Sequence, residues 1–135
     1  MNKTLIRLRK KLLLKQLREV KIQNLHNIIS FYSHRIITEE DPIEREQLRL
    51  IISWKESYII YLHNLKELKY EKKYEEAFDN LLEYLSKNDN TEAIKCFRNE
   101  KELADKFLHD TKMGKINLRK IEKEESDKLN VCQDV

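Results

Sequence analysis

Four histidines and an abundance of carboxylates are the residues of this 135-residue chain whose types bear on catalysis or metal binding. A zinc site needs imidazole or thiolate ligands at set spacings, as in HExxH. His26, His34, His63 and His109 are scattered, with no HExxH and no second His or Cys within helical reach. His34 stands near Glu39 and Glu40, neighbours that tune an imidazole for proton transfer, but a lone His at a helix end ordinarily hydrogen-bonds locally. The acidic pairs Glu75-Glu76 and Glu124-Glu125 have the composition for paired-acid hydrolysis, yet on charged helices such pairs form solvated faces. With a single glycine, the chain has no phosphate-cradling loop of the Walker or dinucleotide type. The expectation is a protein without catalytic residues, cofactor or bound metal.

Composition points the same way. Charged residues make up 38% of the chain beside one Gly and one Pro, which is too small a turn inventory for a compact sheet protein and suits long helices. Cys96 and Cys132, 36 positions apart and without a CxxC neighbour, read as free thiols in a reducing compartment, so a cytoplasmic location is expected. The longest apolar runs fall far short of the roughly 20 residues needed to cross a bilayer. The net charge of +3 conceals an asymmetry: residues 1–38 carry nine basic side chains and one acidic, and the remainder eighteen basic and twenty-three acidic. That is +8 followed by −5, and it marks the N-terminal segment as the functional candidate.

The elements that carry these residues are helical by periodicity. Ile22, Leu25, Ile29, Tyr32 and Ile36 recur at 3-4-3-4 spacing and form one narrow seam. Upstream, Leu5, Leu8 and Leu12 make one stripe and Leu13, Leu17 and Val20 a second, rotated one, which predicts that the N-terminal segment buries two faces. The first helix should end near Thr38, because Asp41 is a good N-cap, Pro42 suits the first helical position and Glu44 completes a capping box. A second helix then runs from 43 to 87, with Ile51, Trp54, Tyr58, Tyr61, Leu65 and Leu68 in phase and Tyr70, Tyr74, Phe78, Leu81 and Leu85 on a shifted phase, a pattern that demands altered supercoiling or a new partner. Asn88-Asp89-Asn90 should break it, with Asp89 and Glu92 as a further capping box. A third helix follows over 91–125, lined by Ala93, Ile94, Phe97, Ala104, Phe107 and Leu108, with Gly114 as a possible stop; residues 126–135 form a frayed tail.

Helices over 3–37 and 43–86 would be about 52 and about 65 Å long. The expected architecture is therefore all-α: one structural domain, either an elongated antiparallel helical hairpin or a three-helix bundle with coiled-coil-like packing, with the third helix packed in cis or in trans. An elongated core leaves apolar surface for another chain to complete, and homo-oligomerisation is one way to do so.

Lys3, Arg7, Arg9, Lys10, Lys11, Lys15, Arg18 and Lys21 surround the N-terminal leucines. Such a segment suits nucleic-acid phosphates, an anionic membrane or an acidic protein groove, or is a solvated face balancing the acidic helices. The rest of the chain is net negative and lacks a nucleic-acid recognition motif, and no bulky aromatic precedes Phe31 on the stripe. Leucines flanked by arginines favour a protein partner in a helix-in-groove contact. The tyrosines and Trp54 fall at helical spacing and read as core rather than as stacking platforms for bases.

The opening Leu5-Ile6-Arg7-Leu8-Arg9-Lys10-Lys11-Leu12, the Trp54 early in the second arm and the Lys106-Phe107 step in the charged last helix give a layout that resembles the type III secretion coiled-coil stalk proteins of the YscO and FliJ group. The resemblance spans most of the chain and rests on layout rather than a diagnostic motif. It implies a non-enzymatic cytoplasmic virulence component that inserts one end of its hairpin into a hexameric export ATPase and touches the export gate with the other. The broader expectation is a non-enzymatic interaction protein that binds a larger complex through its basic N-terminal helix. A phage- or plasmid-encoded inhibitor of a host complex and a nucleic-acid-binding accessory protein are the alternatives.

Overall fold

A computed structural model describes residues 2–114. Among the described residues the fold is all-α: α1 is Lys3–Thr38, α2 Pro42–His63, α3 Leu68–Lys87 and α4 Thr91–Lys112. The described chain divides into two compact units, one of residues 22–94 and one that joins residues 2–21 to residues 95–114. No helix of the described chain is long and apolar enough to cross a membrane.

In the Ile22–Ile94 unit, α1 contributes the seam expected from its 3-4-3-4 spacing: Ile22, Leu25 and Tyr32 are buried, and Ile29 and Ile36 half-buried. The helix ends at Thr38, and Pro42 opens α2 behind Asp41, whose side chain accepts the Ile43 N–H at 2.9 Å. The reciprocal half of the cap differs from the sequence reading. The Asp41 N–H donates to the Glu39 carboxylate at 3.2 Å, a group two residues upstream, so Glu44 does not complete the box.

The larger correction concerns the second helix. It is not continuous over 43–87: α2 stops at His63, and the chain reverses through residues 64–67 into α3. Asn64 makes the stop, donating its backbone N–H to the Tyr61 carbonyl and its side-chain amide to the Ile60 carbonyl, both at 2.9 Å. Glu67 then donates back to the Asn64 carbonyl at 3.1 Å, which closes the turn. The phase shift at Leu65 to Tyr70 is the imprint of this reversal. The two helices pair antiparallel around aromatic side chains: Trp54 meets Phe78 with centroids 4.8 Å apart, and Tyr74 lies 5.3 Å from Tyr58 and 5.7 Å from Tyr61. All five of these rings are buried, each burying a large apolar area at modest rotamer cost.

The break at Asn88-Asp89-Asn90 is present, but Asn90 rather than Asp89 caps α4. Its side-chain oxygen accepts the Ala93 N–H at 3.2 Å. Asp89 has φ +54°, and the Asn90 and Asp89 N–H groups donate to the carbonyls of Leu85 and Ser86. This is the Schellman closure, with an aspartate in the left-handed position that glycine usually takes.

In the second unit, residues 3–21 of α1 and 95–112 of α4 run in opposite directions. Lys21 Nζ lies 5.3 Å from the centroid of Phe107, and a Cβ built on Gly114 would stand 3.9 Å from both Leu14 Cδ1 and Lys10 Cε. Phe97, Ala104, Phe107 and Leu108 are buried as expected. Gly114, at φ +70°, follows the end of α4; the expected extension to 125 and the tail at 126–135 lie outside the described residues. Cys96 is buried and disulfide-bonded, which corrects the free-thiol expectation at that position; Cys132 lies outside the described residues.

Candidate functional site

The eight basic residues singled out in the sequence all lie on the N-terminal part of α1, and the helix does not gather them on one face. At about 100° per residue, Arg7, Lys11, Lys15 and Arg18 fall within an arc of roughly 80° and form a continuous basic strip. Lys3, Lys10 and Lys21 share a second direction. Lys10 and Lys21 there meet α4, one at the level of Gly114 and the other over the Phe107 ring. Leu14 and Leu17, half-buried, occupy the same sector. Arg9 points nearly opposite the basic strip.

Arg9 stands among aliphatic side chains. Leu5, Leu8 and Leu12 occupy an arc about 60° wide on one side of it, and Ile6, Leu13 and Val20 an arc about 40° wide on the other. Of the two stripes expected to be buried, Leu5, Leu8 and Leu12 with Leu13, Leu17 and Val20, only Leu17 is half-buried and the other five residues are exposed, as is Ile6. Their exposures run from 42% for Leu13 to 58% for Leu8, so among the described residues nothing covers this face. By contrast, Ile22, Leu25 and Tyr32 further along the same helix are buried.

Electrostatically the segment is strongly basic, with Glu19 as its one acidic residue. Among the described residues none of Lys3, Arg7, Arg9, Lys10, Lys11, Lys15 and Arg18 is in an ion pair. Elsewhere Arg49 pairs with Glu46, Lys69 with Glu67, Lys87 with Glu83, and Lys101 with Asp105. Seven cations and a strip of aliphatics on one helix therefore combine an apolar anchor with a long-range attraction for negative charge.

The histidines give no competing centre. His34 Nδ1 is 3.1 Å from the Ser30 carbonyl, and His26, His63 and His109 are exposed on three helices. Among the described residues no three His, Cys, Asp or Glu side chains are grouped as metal ligands. What the sequence reading missed is Lys55, which is 3% exposed with its Nζ 4.2 Å from the Trp54 centroid, a lysine that composition alone assigns to solvent. Comparison with known protein families, curated proteins and solved structures returns no match to this chain.

Proposed function

We propose that this chain is a non-enzymatic interaction protein that docks on a larger protein complex through residues 3–20 of α1. The observation that carries the reading is the exposure of Leu5, Ile6, Leu8, Leu12 and Leu13 on a segment with seven cations and one carboxylate, Glu19, and, among the described residues, no ion pair. An aliphatic ridge of this length is unusual on a surface that is finished, and is a mark of an interface. The stalk of an export ATPase is a narrower form of the same reading. It requires a continuous second arm, and the fold-back at residues 64–67 does not supply one. The thiol argument for a reducing compartment is likewise lost at Cys96.

The test is retention of partners from nuclease-treated source-cell lysate by the full chain and by the R7E/R9E/K10E/K11E variant, at two salt concentrations. A protein complex held by the wild type and released by the variant, with helicity by circular dichroism unchanged, supports the reading. Retention of nucleic acid alone, lost at the higher salt, moves the function to phosphate binding. Retention of nothing, or equal retention by the variant, overturns it.

A further inference from the structure

Independently of that docking face, we infer that Arg7, Lys11, Lys15 and Arg18 form a contact for the phosphate backbone of a nucleic acid, gripped without regard to base sequence. The four fall within an arc of roughly 80° on α1. Thr4 is the one other side chain of residues 3–21 in that arc, so the strip holds neither an acid nor a large apolar group. Glu19, the one acid of the segment, stands among the leucines instead. Arg7, Lys11 and Lys15 are exposed and Arg18 half-buried, and among the described residues none of the four is in an ion pair.

Geometry and composition select the ligand. The centre of the strip lies about 140° round the helix from the middle of the leucine face. A helix laid on an anionic bilayer by its leucines therefore turns the strip to water. A protein interface is built round an apolar core in which lysine is depleted, and this strip offers two lysines, two arginines and no core. Phosphates require only charge and reach, because the gain comes from release of the counterions condensed on the polyanion. From Arg7 to Arg18 the strip rises about 16.5 Å, and one strand of a duplex carries a charge about every 3.4 Å of its axis, so about five phosphates lie beside four cations. Such a contact needs no base-reading motif, and the sequence has none.

The experiment is fluorescence anisotropy of the purified full chain with a labelled DNA duplex of arbitrary sequence, and with a single-stranded RNA of the same length, across about 50–200 mM salt. Four phosphate contacts predict a slope of log K against log salt of about −3.6 on the duplex and about −2.8 on the single strand, so duplex affinity falls about 150-fold over that range. Lys11→Ala lowers the duplex slope by about 0.9, and Lys11→Ala with Lys15→Ala halves it, reducing the fall to about 12-fold. Both positions are exposed and alanine suits a helix, so the variants keep the wild-type circular dichroism. Arg9→Ala, on the leucine face, leaves the slope unchanged. Absence of binding at the lowest salt overturns the inference. A slope lowered as much by Arg9→Ala as by Lys11→Ala overturns it in favour of charge spread over the whole segment. Displacement of the labelled duplex by polyglutamate as readily, charge for charge, as by unlabelled duplex overturns it in favour of an acidic protein and leaves the docking reading standing.

Discussion

Tyr84 near the end of α3 donates its phenolic hydroxyl to the Ile43 carbonyl in the first turn of α2 at 3.1 Å, across 41 positions of sequence. The bond ties the two open ends of the α2–α3 hairpin, opposite the turn at residues 64–67. Removing the hydroxyl by Tyr84→Phe should cost about 0.5–1 kcal/mol, the worth of a partly solvated neutral hydrogen bond, measured as a lower midpoint of urea unfolding. An unchanged midpoint would mean the contact is incidental to closure.

Tyr74 is the centre of the same hairpin, with no exposed surface and two tyrosine rings against it. Tyr74→Ala should destabilise the Ile22–Ile94 unit by about 3–5 kcal/mol through lost burial and the cavity left behind. Circular dichroism against denaturant measures this, and a loss under 1 kcal/mol would contradict the assigned core.

Asp89 pays for its left-handed backbone with a Cβ that this region tolerates poorly. Asp89→Gly should raise stability by about 0.5–1 kcal/mol, and Asp89→Val should lower it by more. Thermal melts of the pair decide the matter, since a turn free of conformational demand would leave both substitutions silent.

Two leucines on one helix should respond in opposite ways to the same change. Leu25 is 2% exposed and Leu12 56%. Leu25→Asp puts an uncompensated carboxylate into the core and should unfold the chain at room temperature, whereas Leu12→Asp should melt like the wild type. Loss of helicity in the Leu12 variant would show that the ridge is already covered.

Glu46 accepts two hydrogen bonds from Arg49, one of them from Nε at 2.8 Å, and this holds its carboxyl below the ordinary glutamate range. A depressed pKa stabilises the fold above the unfolded-state value and loses that contribution as pH falls through the folded one. The wild type should therefore exceed Glu46→Gln by a small constant margin at neutral pH, within the range for surface pairs, and the margin should close below about pH 4.3. A gap that does not narrow at all as the pH falls below that point would assign the effect to something other than charge.

Much of this architecture is written in local signals. The Asp41-Pro42 start, the 88–90 break and the inner faces of α1 after Ile22 and of α4 follow from capping chemistry and apolar spacing. The reversal at 64–67 was harder to read because it contains neither Gly nor Pro; one Asn does the work by bonding backwards to α2, and the sequence trace of it is a phase shift that a bent helix also produces. The choice of Asn90 over Asp89 as cap turns on a single left-handed residue that adjacent Asn and Asp conceal. For the candidate site, the basic composition was plain, but the exposure of its leucines was not. Periodicity reports which side chains share a face and is silent on whether anything in the chain covers that face.

The pairing of residues 3–21 with 95–112 has a consequence for synthesis. Residues 3–21 leave the ribosome before the residues that stand beside them, Phe107 at Lys21 and Gly114 at Lys10 and Leu14, which belong to the stretch that starts at Lys95, after the whole Ile22–Ile94 unit. At about 5–20 residues per second the nascent chain carries its cationic leucine segment without that companion for about 4–15 s. During that interval Leu14 and Leu17 are as bare as Leu8, and a chaperone or a waiting partner meets a wider apolar surface than the finished protein ever shows.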